Sequence, residues 1–583
     1  MDSLCRPEEI RMDRLRDSTA RFSHRECVLG VDMKKLLLGG VAIVALVAGG
    51  PAIAADMPLK AVPASCIGGG DPYKNYECLD AYLGQDFLTR FINYYRLEWG
   101  KDSAPADPKA PPGRVDGWPT TPQTTPPMPF TEWPYGGSTT IGVTRPSSVD
   151  SPLMAALGNT DAGKWLNDAH IQIYGWVNAG GNISTNTTRP GGNWPIAYMY
   201  TPNTVQLDQA VIYVERLPDT VQKDHVDWGF RVSGLYGENY RYTTANGLWS
   251  YQLLGHNLVN GVDAPMVYGE VYFPQIAQGL LVRFGRFISL PDIEAQLAPN
   301  NYMYSHSMTY TFDNYTNTGV QTTLAVTKNL FLQVGLTVGS DTMPWNAGRT
   351  IPNPFPNPLY PNTTMLKDPG AKPSVTGCIR YQTDSGNDNI YLCADAENDG
   401  VFGYNNLQWY GMTYYHKFND QWHLSFETYT LGERNVPNIN NPLVQGIVAA
   451  GGTPFSNPAS GIAFNAPNLA QCSDATALTC TTQVFAAVAY LNYRISGLDN
   501  ISFRAEYYDD MEGQRTGTKT RYVDCGIGWQ HWLSPQIEFR PEANFYKSLD
   551  APAFNGNFNA LPTAIAPTKD YTWIASMDVI VHF

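Results

Sequence analysis

The end of the chain shows the clearest alternation of apolar and polar side chains. Every second residue before Phe583 is apolar, at positions Tyr571, Trp573, Ala575, Met577, Val579 and Val581. The residues between them are mostly polar. Because successive side chains of a β-strand point to opposite faces, this pattern predicts a strand with one apolar face and one largely polar face.

Similar alternation between residues 169 and 583 predicts about fourteen strands, within a range of roughly twelve to sixteen. The clearest segments are residues 226–233, 422–427, 501–508 and 537–545. Near Gly285 the alternation shifts, and a β-bulge there would turn both Arg283 and Arg286 to the polar face. The polar faces form a candidate pore lining of mixed charge: Asp227, Arg231, Arg283, His423, Glu427, Arg504, Glu506, Glu538, Arg540 and Glu542.

The connections between the predicted strands alternate in length. Short turns are expected at residues 274–279, 328–329, 419–420, 496–500 and 534–535. Longer connections are expected at residues 181–202, 238–262, 289–316, 341–403, 433–482 and 549–567. In an up-and-down barrel every second connection lies on the same side, and bacterial barrels keep the periplasmic turns short. The pattern therefore predicts an all-β fold, a single antiparallel transmembrane barrel at residues 169–583. A soluble sandwich of long strands is the alternative.

The front of the chain carries a predicted signal peptide at residues 33–55. Lys34 and Lys35 precede an apolar run from Leu36 to Ala48, and small residues follow as a cleavage site. The alternative is a transmembrane anchor. Residues 1–32 carry no comparable signal, and we expect translation to begin at Met33, which removes Cys5 and Cys27.

Residues 56–168 read differently from the barrel. Apolar side chains four positions apart predict an amphipathic helix from about Leu79 to Trp99, with Leu83, Phe87, Phe91 and Tyr95 on its stripe. A Pro-rich stretch follows between residues 101 and 150, and one further short helix is expected at residues 153–167. This N-terminal segment would lie in the periplasm or enter the lumen as a partial plug.

Composition narrows the class of protein. The net charge is −14 and stays negative without residues 1–55, which argues against a nucleic-acid partner. Aromatic residues make up 12% of the chain, as expected for aromatic girdles at a membrane surface. Beyond the signal peptide no apolar run is long enough for a membrane-spanning helix. As an outer-membrane barrel, the chain would have outer-membrane lipid, lipopolysaccharide and small solutes as its partners.

Six cysteines are close neighbours in sequence and are predicted to form three disulfides within loops. The pairs are Cys66 with Cys78, Cys378 with Cys393, and Cys472 with Cys480. Cys525 falls on the apolar face of a predicted strand and is expected to be an unpaired thiol facing lipid.

An acidic segment resembles the opening of a calcium-binding loop. Asp395, Glu397 and Asp399 precede Gly400, but Asn406 occupies the position where a bidentate Glu is expected. The sequence thus predicts no cofactor beyond a weak surface Ca²⁺ site there. A solvated acidic loop is the alternative.

Three segments carry a family resemblance: residues 133–140 (WPYGGSTT), 171–182 (IQIYGWVNAGGN) and 283–287 (RFGRF). They are similar to a family of β-barrel porins, the OmpL-like outer-membrane proteins, over roughly residues 119–583. The resemblance implies an outer-membrane barrel of a Gram-negative bacterium that lets small solutes across. Phe583 resembles the terminal residue that the barrel assembly machinery reads. The resemblance assigns no functional role to any individual residue of this chain.

Three functions are compatible with these features. The first is a porin for passive diffusion of small hydrophilic solutes or ions, in which opposed inward charges bias permeation. The alternative for those charges is that they pair across strands inside a filled barrel. The second is a gated channel for a larger or apolar solute, with the N-terminal segment as plug. The third, a barrel enzyme, lacks a Gly-x-Ser-x-Gly or His-Glu-x-x-His motif, and we predict no enzymatic activity.

One of the long connections is rich in ionisable and aromatic side chains. Residues 289–316 contain Glu294, His306 and Asp313 together with four tyrosines. Folded into the mouth of the barrel, this segment would narrow the pore and offer polar and aromatic contacts to a solute.

Overall fold

The structure, a computed structural model, covers most of residues 151–583 and parts of the preceding segment. It describes residues 83–95, 141, 151–188, 192–254, 256, 258–288, 292–347, 349–352, 364–368, 370–398, 408–419, 421–449, 469–495, 499–534, 536–556 and 566–583. No helix among these residues is long and apolar enough to cross a membrane. The predicted start, the signal peptide, the Cys66–Cys78 pair and nearly all of the Pro-rich stretch lie outside the described residues.

Sixteen strands form one closed antiparallel barrel. They are β1 (Gln172–Ser184), β2 (Val205–Arg216), β3 (Asp227–Gly237), β4 (Gly261–Asp263 and Val267–Phe273, interrupted), β5 (Leu280–Ile288), β6 (Thr316–Ala325), β7 (Leu330–Ser340), β8 (Ser374–Gln382), β9 (Asp388–Glu397), β10 (Gln408–Lys417), β11 (Trp422–Pro437), β12 (Thr479–Arg494), β13 (Asp499–Asp510), β14 (Thr520–Ser534), β15 (Ile537–Ser548) and β16 (Tyr571–His582). Each strand pairs with its neighbour in sequence, and β16 pairs with β1 to close the cylinder. Closure leaves no sheet edge to be satisfied in hydrocarbon.

The predicted strand number of fourteen is wrong by one hairpin. Residues 341–403, expected to be a single long loop, contain β8 and β9, which are joined by a short turn at residues 383–387. The sequence pattern does not reveal these two strands, because apolar and polar residues are not cleanly divided between their two faces. Gly377 lies on the outer face of β8, and Tyr391 lies on the inner face of β9.

Side chains on the two faces of the wall are reversed relative to a soluble protein. Trp228 and Phe284 on the outer face are 54% and 51% exposed, whereas Arg504 and Glu538 on the inner face are 2% and 0% exposed. The last strand follows the same rule as predicted, with Trp573 exposed. An apolar exterior around a polar interior is the arrangement of a transmembrane barrel.

Most connections alternate in length, as predicted. The exceptions are residues 217–226 on the short side, which are as many as residues 398–407 and more than residues 511–519 on the long side. Short turns lie at residues 274–279, 326–329, 383–387, 418–421, 495–498 and 535–536. The longer connections include residues 185–204, 238–260, 289–315, 341–373, 438–478 and 549–570. The connection at 341–373 also carries a separate two-stranded hairpin, Arg349–Pro352 with Thr364–Asp368.

The alternation of inward and outward side chains is interrupted in β5 at Gly285. Gly285 in β5 has a φ of +130°, and Arg283 and Arg286 on either side of it are both buried. Both arginines lie on the inner face, but the β-bulge predicted near Gly285 is wrong. The register of β5 with β4 and β6 continues without a shift. The change in side-chain alternation therefore comes from the glycine backbone conformation and not from an inserted residue.

Helices are short and lie in the N-terminal segment and the connections. They are α1 (Phe87–Tyr95), α2 (Pro152–Leu157), α3 (Asp161–Asp168), α4 (Tyr251–Leu254), α5 (Met308–Thr311) and α6 (Pro442–Ala449), with 3₁₀ turns at Glu238–Tyr242 and Ala298–Asn300. The single helix expected at residues 153–167 is divided into α2 and α3. The Thr160 side chain caps the start of α3 by accepting a hydrogen bond from the Gly163 amide at 2.9 Å.

Helix α1 packs at the end of the barrel where the last strand finishes. Its buried residues are Arg90 and Tyr94. The predicted stripe of Phe87, Phe91 and Tyr95 lies beside them and is half-buried, whereas Leu88 and Ile92 are exposed. Arg90 turns inward because its guanidinium donates to the Ala155 carbonyl of α2 at 2.8 Å. The Tyr95 hydroxyl donates to the backbone carbonyl of His582.

Two of the predicted disulfides are present among the described residues. Cys378 and Cys393 are bonded, but they face each other on β8 and β9, so this bridge lies in the barrel wall and not in a loop. Cys472 and Cys480 are bonded, and this bridge joins the connection before β12 to the start of that strand. Cys525 is a free, exposed thiol on the outer face, as expected.

Candidate channel lumen

The interior of the barrel is occupied by the connection between β5 and β6. We call residues 292–315 the lumen loop. Nearly all of its side chains are buried, including Tyr304, His306 and Tyr310. It contacts inward side chains of β2, β9, β11, β12, β13 and β15. These strands are spread around the cylinder, so a single segment can reach all of them only by crossing the interior.

Three of the predicted pore-lining carboxylates hold the lumen loop against the wall. Each accepts hydrogen bonds from backbone amides of the loop, and such bonds to a charged acceptor are stronger than neutral ones. The pairs are Glu427 of β11 with Ile293 at 2.9 Å, Glu506 of β13 with Met308 at 2.9 Å, and Glu542 of β15 with Tyr304 and Ser305 at 3.1 Å each.

Arginines supply the complementary contacts to carbonyl oxygens of the loop. The Arg540 guanidinium donates to the carbonyl of Ala298 at 2.6 Å, and that of Arg504 donates to the carbonyl of Ser305 at 3.2 Å. Wall cations and wall carboxylates therefore fix opposite ends of the loop's peptide dipoles. Arg515, which the sequence did not single out, adds a third such contact to Phe312 at 2.7 Å.

Three more of the predicted charges pair across neighbouring strands. Their partners are Glu215 for Arg231 at 2.5 Å, Glu270 for Arg283 at 2.8 Å, and Arg216 for Asp227 at 2.9 Å. Arg286 likewise pairs with Asp263 at 2.8 Å. This matches the alternative stated from sequence, in which inward charges satisfy one another inside a filled barrel.

Two further predicted residues are buried near the short-turn end of the barrel. Glu538 accepts a hydrogen bond from the Gln530 side chain at 2.7 Å and lies 3.3 Å from a ring nitrogen of His582. His423 lies between the rings of Tyr302 and Tyr415, with centroids 5.5 Å and 5.7 Å away. Neither residue belongs to the set that holds the backbone of the lumen loop.

Sequence reasoning missed the acidic partners of the inward arginines. Glu215, Glu270 and Asp578 lie directly opposite Arg231, Arg283 and Arg540 in the strand register. Alternation alone could place these acids on the inner face, but the pairing depends on register. These pairs could have been predicted only if the exact length of each hairpin turn, which sets the strand register, had been known.

Gly180 on β1 allows the lumen loop to approach the wall. A Cβ atom at this position would lie 2.2 Å from the Tyr304 hydroxyl oxygen. We expect Gly180→Ala to displace Tyr304 and to lower the free energy of unfolding by about 1–3 kcal/mol through overpacking. Urea unfolding in micelles measures this change. Gly234→Ala is the control, since its Cβ would meet only Ile212 at 3.4 Å, and an equal loss in both variants would contradict the expectation.

The predicted calcium loop does not form as a loop. Asp395 and Glu397 belong to strand β9, and Asp399 lies outside the described residues. Asp395 is buried and accepts a hydrogen bond from the Asn317 amide at 2.8 Å, whereas Glu397 accepts one from the Tyr410 hydroxyl at 2.6 Å. The two carboxylates therefore serve the wall separately, and the surface Ca²⁺ prediction loses its structural basis.

Comparison with known proteins assigns the chain to a family. The model of the family described as "Putative beta-barrel porin-2, OmpL-like" matches residues 170–583, which is the whole barrel. The chain belongs to this family. The porin resemblance drawn from sequence is thereby confirmed, and the chain is a porin-like outer-membrane channel. Porin families are typically non-enzymatic channels.

Comparison with solved structures finds bacterial outer-membrane proteins at low similarity. An anion-selective porin from Comamonas acidovorans is 9% identical, covering 71% of this chain and 99% of its own, with a TM-score of 0.42. The outer-membrane channel DcaP of Acinetobacter baumannii is 9% identical, covering 71% and 97%, with a TM-score of 0.39. A mutant of the Rh. blastica porin is 10% identical, covering 71% and 100%, with a TM-score of 0.33. No curated protein matches the sequence significantly.

Proposed function

We propose that this porin mediates passive diffusion of small hydrophilic solutes or ions across the outer membrane of a Gram-negative bacterium, and that it favours cations. The observation that carries the proposal is the surplus of carboxylates in the lumen. The outer face of the barrel would contact lipid and lipopolysaccharide, and Phe583 would serve the assembly machinery during insertion.

The surplus arises because the arginines of the wall already have partners. Arg504 pairs with Asp524 at 2.5 Å, and Arg540 pairs with Asp578. By contrast, Glu294, Glu506 and Glu542 around the lumen loop form no ion pair with any described side chain. Fixed negative charge of this kind lowers the barrier for cations and raises it for anions.

The lumen loop restricts the size of the solute. One gap between the loop and the wall, lined by Glu294, Tyr302, Ser425, Tyr490 and Asn492, holds about one water molecule. Asn301 and Ser305 add further polar residues to its lining, and Ile293 and Met303 add apolar ones. The expected permeants are therefore small and hydrophilic, and the conductance is expected to be low for a barrel of this strand number.

Recording from single channels in planar bilayers tests the function. With purified mature protein in a KCl gradient, we expect small conductance steps and a reversal potential of the sign given by K⁺ permeation. Glu506→Gln combined with Glu542→Gln removes two lumen charges and should move the reversal potential toward zero. Asp384→Asn, at an exposed short turn, is the control that should leave it unchanged.

Each outcome has a defined meaning. Absence of any channel activity from correctly folded protein would refute the porin function. A reversal potential of the opposite sign would refute the cation preference while leaving the channel intact. Equal shifts in the double variant and the Asp384→Asn control would show that surface charge, not the lumen, sets the preference.

A gated channel with the N-terminal segment as plug is the second candidate. One observation favours it: Ile141 belongs to a buried cluster with Tyr272, Leu281, Ala325 and Phe331, which lie near the short-turn end of the barrel. The same recordings on a chain that begins at residue 151 discriminate the two. Larger or longer openings in the truncated chain would support the plug, and unchanged openings would exclude it.

A further inference from the structure

Three carboxylates meet where the lumen loop crosses the wall. Asp292 and Asp313 come from the two ends of the loop, and Glu427 comes from the middle of β11. One oxygen of each lies within 4.8 Å of the other two. The three residues are only 4%, 2% and 1% exposed, so water does not screen their mutual repulsion.

Nothing in the described part of the chain neutralises this cluster. None of the three carboxylates forms an ion pair there. Oδ1 of Asp292 and Oε1 of Glu427 are buried and accept no hydrogen bond from any described residue. Glu427 uses only its other oxygen, which accepts the Ile293 amide at 2.9 Å. A buried carboxylate oxygen without a protein donor needs a bound cation, a proton or an ordered water, and three carboxylates this close also need compensating positive charge.

A fourth oxygen on the next strand faces the same place. Thr413 of β10 lies directly opposite Glu427 in the strand register, so the two side chains project from the same inner face. The Thr413 hydroxyl is buried and has no hydrogen-bond partner among the described residues. It is outside the acidic cluster and is neutral, so repulsion between carboxylates does not account for its missing partner.

We propose that these four residues form a binding site for one Ca²⁺ ion that fastens the lumen loop to the barrel wall. The donors are all oxygen atoms, which suits hard cations and disfavours zinc or copper, whose sites use His or Cys. Ca²⁺ suits the site better than Mg²⁺ because it accepts irregular sets of six to eight oxygens, whereas Mg²⁺ demands octahedral geometry and retains water. The ion would bridge two loop ends and two strands.

Shared protons are the competing way to neutralise the cluster. Burial, followed by the neighbouring charges of Glu427, Asp313 and Glu294, raises the pKa of the Asp292 carboxyl well above its usual range. A protonated cluster would hold the loop by hydrogen bonds between carboxyl groups. It would bind no metal ion.

Calorimetric titration separates the two possibilities. The mature full chain is refolded from inclusion bodies into detergent, so that no lipopolysaccharide contributes Ca²⁺ sites, and is treated with chelator before titration with CaCl₂ at neutral pH. We expect one Ca²⁺ per chain with a Kd of about 1 mM or below. Thermal unfolding followed in parallel should shift to higher temperature with added Ca²⁺, because the ion binds only the folded chain.

Variants assign the site. Asp292→Asn combined with Asp313→Asn, and separately Glu427→Gln, should abolish binding and the Ca²⁺-dependent thermal shift. Asp341→Asn is the matched control, because Asp341 is also buried beside the loop but accepts hydrogen bonds from Thr316 at 2.9 Å. It should reduce stability and leave Ca²⁺ binding intact.

Two results would overturn the proposal. A wild-type chain that is folded but binds no Ca²⁺ at about 10 mM, a concentration well above the Kd of weak protein sites, would establish the shared protons instead. Binding that survives in both cluster variants would place the ion elsewhere. Neither result bears on conduction, because a barrel that passes no ions can still bind Ca²⁺, so failure here is distinguishable from failure of the channel function.

Discussion

Replacing residues 289–315 with Asn-Gly is expected to raise the single-channel conductance severalfold. The lumen loop fills the interior and is fixed at several points around the wall. Barrels of sixteen or more strands leave an aqueous channel unless something occupies it. Without the loop, ions meet only the inward side chains of the strands.

The geometry of the wall permits this deletion. Ile288 at the end of β5 and Thr316 at the start of β6 are direct register partners, so a two-residue hairpin can join them. The carboxylates that now hold the loop, among them Glu506 and Glu542, would become solvated by water in the widened lumen. We therefore expect the barrel itself to remain folded, which retention of anomalous migration on an unheated detergent gel checks.

The control removes a segment of similar length from another connection. Residues 349–368 contain the separate two-stranded hairpin, and its deletion should leave conductance near that of the parent. Unchanged conductance after loss of the lumen loop would mean that the loop does not limit permeation. An equal increase in both deletions would point to a general loosening of the barrel.

Arg504→Met is expected to be the most destabilising single substitution among those considered. The Arg504 guanidinium donates to Asp524 at 2.5 Å, to the Tyr546 hydroxyl at 2.9 Å and to the Ser305 carbonyl, so one side chain links β13, β14, β15 and the lumen loop. Its removal leaves the Asp524 carboxylate buried without a partner. Breaking a buried ion pair in this way costs about 3–5 kcal/mol, which urea unfolding followed by tryptophan fluorescence measures.

A second substitution distinguishes the buried charge from lost packing. Arg504→Met combined with Asp524→Asn removes both charges and should recover a large part of the stability, since the cost lies in the uncompensated carboxylate. Arg521→Met is the matched control, because Arg521 pairs with Asp550 at 2.6 Å but both side chains are largely exposed. It should leave the unfolding midpoint nearly unchanged. Failure of the double variant to recover stability would assign the loss to packing.

Strands with a strong alternation of apolar and polar residues were predicted correctly, and strands with a weak alternation were not. The segments around Trp228, Phe426 and Phe503 alternate strongly, and each has the predicted outer and inner face. The hairpin of β8 and β9 alternates weakly and was missed. The predicted helix stripe through Phe87 and Phe91 is half-buried, and the most buried position beside it is Arg90, whose hydrogen bond to Ala155 apolar spacing does not predict.

For the candidate site, the sequence predicted several of the residues that take part but not how they contact one another. Glu427, Glu506 and Glu542 were placed on the inner face from their strands alone, and the composition of residues 289–316 pointed to a segment suited to the lumen. Their mutual contacts were not predictable. A carboxylate meets a loop amide here across residues far apart in sequence, as Glu542 meets Tyr304.

The sequence by itself determined the class of fold, the face on which each strongly patterned strand carries its charges, and the side on which long connections lie. It could do so because alternation within a strand and the length of a turn are local properties. Only the tertiary structure decided the strand number, the partner of each inward charge and the entry of the lumen loop. Those features depend on register, on closure of the cylinder and on contacts between distant segments, which no local pattern encodes.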